Sequence, residues 1–113
     1  MAESNMTAIP YTQFSMEMRS GKIIEIDDGF TALLGYTEED FKEGIVFKQF
    51  VPSLEYEEII TELREKFIDK RYASYKQEFV TKTGEEISIV AFYKIENKLL
   101  AGHRVIKVSA AVL

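Results

Sequence analysis

The stretch from Asp27 to Phe41 reads Asp-Asp-Gly-Phe-Thr-Ala-Leu-Leu-Gly-Tyr-Thr-Glu-Glu-Asp-Phe and places two helix starts around one helix stop. Asp27 and Asp28 can cap a helix, because a carboxylate accepts hydrogen bonds from the free amides of a first turn. Phe30, Leu33 and Leu34 then share a helical face, and Gly35 can close the helix in a left-handed conformation. Thr37 repeats the capping logic with Asp40 three residues on, where a capping box prefers Glu or Gln, and Phe41 supplies an anchor. A second short helix ends near Gly44. Only short helices fit between these signals.

The flanks are different in character. From Gln13 to Arg19 polar and apolar residues alternate, with Phe14, Met16 and Met18 on one face, which predicts a strand. Ser20-Gly21 reads as a turn, and Lys22 to Ile26 as the second arm of a hairpin, with Ile24 and Ile26 on one face and Ile23 on the other. After Val46, Phe47, Phe50, Val51 and the break at Pro52, the run Leu54 to Lys70 carries Ile59, Ile60, Leu63 and Phe67 at helical spacing, opposite a charged, solvated face. Ala73 to Lys82, Glu86 to Ile95 and Leu99 to Val112 read as three strands, separated by Thr83-Gly84 and by Glu96-Asn97-Lys98. The order predicts an α+β domain, its helices covering one face of an antiparallel sheet.

Composition narrows the function. At 113 residues, 46% hydrophobic and 29% charged, the chain is sized for one domain with a core of its own. Residues 1–12 read as a flexible N-terminal segment and 13–113 as the domain. A net charge of −5 with scattered Lys and Arg argues against nucleic acid as a partner. No apolar run approaches the roughly 20 residues needed to span a bilayer, so no membrane insertion is expected. The absence of cysteine removes disulfides, thiolate nucleophiles and thiolate ligands, and suits a cytoplasmic location.

Taken together, these residues resemble a PAS domain over about Phe14 to Leu113. The Asp27–Phe41 segment is similar to the family's Asn or Asp, aromatic, Leu-Leu-Gly-Tyr and Ser or Thr succession. Thr81-Lys82-Thr83-Gly84-Glu85 is similar to its Lys-Asp-Gly hairpin, and Gly102 stands where a glycine commonly opens the last strand. The chain departs from the pattern in two places. Val51-Pro52-Ser53-Leu54 replaces a frequent His-Pro-x-Asp step, and Ser109-Ala110-Ala111 stands where Asp-Ile-Thr often ends the last strand. The resemblance implies a five-stranded antiparallel sheet whose concave face is cupped by short helices and one longer one. It also implies a sensory or regulatory domain of a signal-transduction protein, relaying a conformational signal to an output domain such as a diguanylate cyclase or histidine kinase.

If a ligand sits between sheet and helices, its candidate contacts are Phe30, Leu33, Leu34, Tyr36, Phe41, Phe47, Phe50, Ile59, Leu63, Tyr75, Gln77, Phe79, Ile89 and Val105. The bland alternative is that these residues contact one another as core. Tyr36, Tyr75 and Gln77 are the polar members, offered either to a small-molecule ligand or to backbone groups at a cavity edge. The ligand's identity stays open. A covalent flavin adduct and a thioester-linked chromophore both need the missing cysteine. Haem is not expected, because the long helix has no histidine and His103 lies beside a strand turn. No metal-ligand pattern occurs, and one histidine without cysteine leaves no catalytic constellation, so no enzyme is expected.

The last two strands carry apolar residues on both faces. Val90 and Phe92 oppose Ile87, Ile89, Ala91 and Tyr93, while Ile106 and Val108 oppose Val105 and Lys107. A sheet with one wet face should alternate more cleanly. Val90, Phe92, Ile106 and Val108 are therefore candidates for an outer interface in a homodimer, the alternative to a ligand-gated sensor, unless a helix or the N-terminal segment around Ile9, Pro10 and Tyr11 covers that face instead.

Overall fold

The computed structural model describes residues 10–113. Strands β1 (Tyr11–Glu17) and β2 (Ile23–Ile26) form a hairpin, followed by helices α1 (Asp28–Leu34) and α2 (Glu38–Glu43). A 3-10 turn (Phe47–Phe50) and the longer helix α3 (Ser53–Lys66) follow, then β3 (Tyr72–Val80), β4 (Glu86–Leu100) and β5 (His103–Val112). All strand pairs are antiparallel, in the order β2-β1-β5-β4-β3. The last three strands are a simple meander, and β1 closes the sheet by pairing with β5 at the far side from β4.

Asp27 sets where the helices begin. Its Oδ1 accepts from the Phe30 amide at 3.0 Å and from the Thr12 hydroxyl at 2.6 Å, and its Oδ2 accepts from the Gln13 amide at 2.9 Å. One carboxylate thus caps α1 and fastens it to β1. Burial works to raise this carboxyl, but the hydrogen bonds outweigh it and hold the group below its ordinary value. Because the folded value is depressed, the carboxylate's contribution is complete above the ordinary 3.8 and is lost as pH falls through the folded value. An asparagine at this position would turn its NH2 toward the Gln13 N–H. Asp27→Asn should therefore cost about 1 kcal/mol at neutral pH, and the gap to the parent should shrink as pH falls below the ordinary 3.8 in urea denaturation.

Gly35 closes α1 at φ 83°, and Thr37 and Asp40 make a reciprocal capping box on α2. The pair is latched to the β3–β4 turn, where the Lys82 ammonium meets Asp40 at 2.8 Å and the Lys82 amide donates to the Leu34 carbonyl at 2.8 Å. Helix α3 stops at Lys66 rather than Lys70, with the Phe67 amide donating to the Leu63 carbonyl.

Four further expectations are corrected. Residues 1–9 of the expected N-terminal segment lie outside the described residues, but Tyr11 and Thr12 belong to β1, and Thr12 is fully buried. In β2 the alternation breaks at a bulge, since Met16 pairs with Ile23 and Ser15 with Glu25, so Ile23 and Ile26 both reach the core. β4 runs through Glu96-Asn97-Lys98, with an irregularity between Ile95 and Leu99, and turns at Ala101-Gly102. Polar residues advertised the earlier turn, but a two-residue hairpin of the favoured type needs positive φ at both central positions. Those positions are Ala101 at 51° and Gly102 at 83°. Ala101→Asn, giving the favoured Asn-Gly pair, should stabilise the chain by about 0.5–1 kcal/mol, read as a higher denaturant midpoint.

The fourth correction concerns the last strand. Ile106 and Val108, expected at an outer interface, are fully buried in the main core on the inner face. Val105, expected in the pocket, falls on the opposite face by alternation, paired with Glu17 of β1. The outer face of β5 mixes Val105 and Ala111 with Lys107 and Ser109, so its polar signal is only partial. In β4 the expected split holds: Ile89, Ala91 and Tyr93 are buried, whereas Val90 and Phe92 are exposed on the outer side.

Candidate ligand-binding site

The inner face of the sheet and the helices opposite it bring most of the sequence candidates together. Phe30 and Leu34 from α1, Phe47 and Phe50 from the 3-10 turn, Leu63 from α3, Phe79 from β3 and Ile89 from β4 are all fully buried. Tyr36, Ile59 and Gln77 are nearly so, and Leu33, Phe41 and Tyr75 pack against this core from its margin.

At the centre the aromatic rings interlock. Phe50 stands edge-on to Phe14, Phe30, Phe47 and Phe79 at centroid distances of 5.4, 5.4, 5.4 and 5.2 Å. Phe47 also meets Tyr93 at 6.3 Å. These are ordinary aromatic packing distances, so the apolar candidates chiefly contact one another. Tyr36 is likewise committed, its hydroxyl directed at the Gln49 carbonyl at 3.5 Å.

The polar chemistry lies to one side, where β3 and β4 pass beneath α3. The Tyr93 hydroxyl donates to the Gln77 side-chain carbonyl. The Gln77 side-chain nitrogen and the Tyr75 hydroxyl are both buried and have no hydrogen-bond partner among the described residues. The Tyr75 and Tyr93 rings stand 5.9 Å apart. Burial, together with Glu62 and Glu65 of α3, raises the Tyr75 phenol above its ordinary value. Burial raises the Tyr93 phenol further, so both phenols are neutral donors at physiological pH. Leaving a buried donor unsatisfied costs about 1–3 kcal/mol, so these two groups are the inner-face donors among the described residues with hydrogen bonds still to make.

Tyr93, buried and bonded to Gln77, was not among the sequence candidates for the pocket. Its signal was present, because it shares a strand face with Ile89 and Ala91, and a tyrosine there brings a hydroxyl into the interior. A surface groove of about 450 Å³ lies elsewhere, between the end of α3 and the β4–β5 hairpin. Its arginines are tied within the protein: Arg71 donates to the Ile95 carbonyl at 3.1 Å and to the Asn97 side-chain Oδ1 at 2.7 Å, and Arg104 donates to the Phe67 carbonyl at 3.3 Å. The arginines of that groove are engaged in bonds within the protein, whereas the Gln77 nitrogen and the Tyr75 hydroxyl have bonds to give. Among the described residues no cluster of three His, Cys, Asp or Glu could hold a metal ion, and no helix is long and apolar enough to cross a membrane.

No family model matches the chain, and no curated protein matches it by sequence. Solved structures do. A PAS domain of a protein from Colwellia psychrerythraea superposes with a TM-score of 0.80 at 14% identity, over 93% of this chain and 87% of that one. The PAS domain of an HTR-like protein from Haloarcula marismortui gives 0.71 at 20% identity, over 92% and 82%. A PAS domain from a two-component sensor histidine kinase gives 0.73 at 10% identity, over 96% and 89%. The fold is the PAS fold: a five-stranded antiparallel sheet cupped by short helices and one longer one.

Proposed function

We propose that the chain is a PAS sensory domain of a cytoplasmic signalling protein. It binds a small molecule at the Tyr75–Gln77–Tyr93 end of its inner face and relays the occupied state to an output domain outside this chain, such as a histidine kinase or diguanylate cyclase. It has no catalytic role of its own. The carrying observation is the pair of buried, unpartnered polar groups on Gln77 and Tyr75. The similarity of the fold to a sensor histidine kinase's PAS domain supports the signalling context. The interlocked phenylalanines favour a guest of few heavy atoms, since a large planar cofactor would have to displace them. The signal is a population shift, limited by the ligand's differential affinity for two conformations.

Native mass spectrometry of freshly purified protein tests this reading. A small mass excess, released on denaturation and diminished in Gln77→Leu, is expected. The bare chain mass in the parent would count against a resident ligand.

A second reading, homodimerisation, is favoured by the outer face. The rings of Tyr72 and Phe92 meet there at 5.7 Å, tilted by 31° and exposed by 56% and 45%, with Val90 on the same face. A second copy covering about 800 Å² per partner would make a specific interface. Phe92→Glu should then shift a dimer to monomer in light scattering after gel filtration, with an unchanged circular dichroism spectrum. A parent that is monomeric at high micromolar concentration removes this reading.

A further inference from the structure

We infer that the guest of the inner site is a neutral molecule presenting an oxygen acceptor, such as the carbonyl of an amide or ketone, to the side-chain amide of Gln77. This rests on reading the Tyr75–Gln77–Tyr93 set as a ligand site. Gln77 brings two polar protons and each tyrosine brings one, and within the set only the Tyr93 proton is engaged, on the Gln77 carbonyl. The surplus is in donors. The Gln77 nitrogen can only donate, so it must face an acceptor, and Tyr75 can give a second hydrogen bond to the same oxygen or to its neighbour.

Charge decides the rest. A carboxylate or phosphate would bring a charge to a set, Tyr75, Gln77 and Tyr93, that holds no cation to pair with it. It would also lose its hydration in an apolar interior. An ammonium group would point its own protons at the donor-only nitrogen of Gln77. A neutral carbonyl or ether oxygen meets neither penalty, and its hydrocarbon part suits an interior in which Leu63 and Tyr93 are fully buried. The inside of the cup thus selects for acceptor polarity rather than for charge.

Three probes of one skeleton separate the alternatives: isobutyramide, isobutyrate and isobutylammonium, each titrated into ¹⁵N-labelled protein. The side-chain NH2 signals of Gln77 are identified by their loss in Gln77→Leu, or in Gln77→Met should the first fail to fold. Isobutyramide should move these signals and raise the melting temperature, while the two ions at equal concentration do neither. Tyr75→Phe should weaken isobutyramide about tenfold, as expected for one lost hydrogen bond. An equal or stronger response to either ion overturns the assigned ligand class but leaves the sensor reading standing. So does a response of inner-face signals with the Gln77 NH2 unmoved. Silence toward all three, with waters on Gln77 and Tyr75, overturns both.

Discussion

Phe50→Ala should lower the unfolding free energy by about 3–5 kcal/mol, the range for emptying a buried phenylalanine site. The expectation sits at the upper end because of what the ring holds. It is fully buried and stands edge-on to four other phenylalanines, from β1, α1, the 3-10 turn itself and β3. Removing it would leave a void bordered by rings that cannot collapse together, because they are fixed by different elements. For a small domain with about 5–15 kcal/mol of total stability, the variant would be close to its limit at physiological temperature. A stability within about 0.5 kcal/mol of the parent, on the scale of an ordinary surface substitution, would show that the aromatic centre is not packed as described.

Gly29→Ala should destabilise by about 3 kcal/mol or more, at the top of the overpacking range. The sign carries the test. Gly29 lies in the first turn of α1, and at an exposed helical position the same change stabilises by up to about 1 kcal/mol through backbone entropy. Here an added Cβ would fall 2.2 Å from the Tyr11 carbonyl oxygen and 3.2 Å from Thr12 Cα. Both are backbone atoms, so no side-chain rotation relieves the clash. β1 or α1 must move, which would stretch the hydrogen bonds that Asp27 makes to Thr12 and Gln13. An unchanged or raised denaturation midpoint would mean that α1 does not lie against β1 this closely.

Gly29 also marks what a sequence shows and what it hides. The cap at Asp27, the stop at Gly35 and the Thr37–Asp40 box were legible because each is a local hydrogen-bonding problem with few solutions. The inner face of β3 and β4 was legible because Ser88, Lys94 and Lys76 hold the outer positions and fix the parity. β5 was not. Its polar markers, Lys107 and Ser109, do fall on the outer face, but Val105 and Ala111 make that face half apolar, and Ile106 and Val108 were set on the wrong side. The demand for glycine at 29 comes from the first strand, on the far side of the hairpin, and nothing in the local pattern encodes it.

The candidate site divided along the same line. Burial of Phe30, Leu34, Phe47, Phe50 and Phe79 followed from apolar periodicity. Whether they line a cavity or fill it did not, since the same rings serve either arrangement and only their mutual distances decide. Gln77 and Tyr75 were legible as polar groups at inward positions. Their lack of partners depends on the depth at which β3 runs beneath α3, a tertiary quantity. Tyr36 looked equivalent to Tyr75 in sequence, yet the Gln49 carbonyl lies within its reach.

The most direct test is a high-resolution crystal structure of the protein purified without added ligands. Continuous non-protein density beneath α3 is predicted, larger than a water, with an acceptor oxygen within about 3.2 Å of the Gln77 side-chain nitrogen. Density that resolves into isolated waters, or a Gln77 whose nitrogen is bonded to the protein itself, would contradict the account.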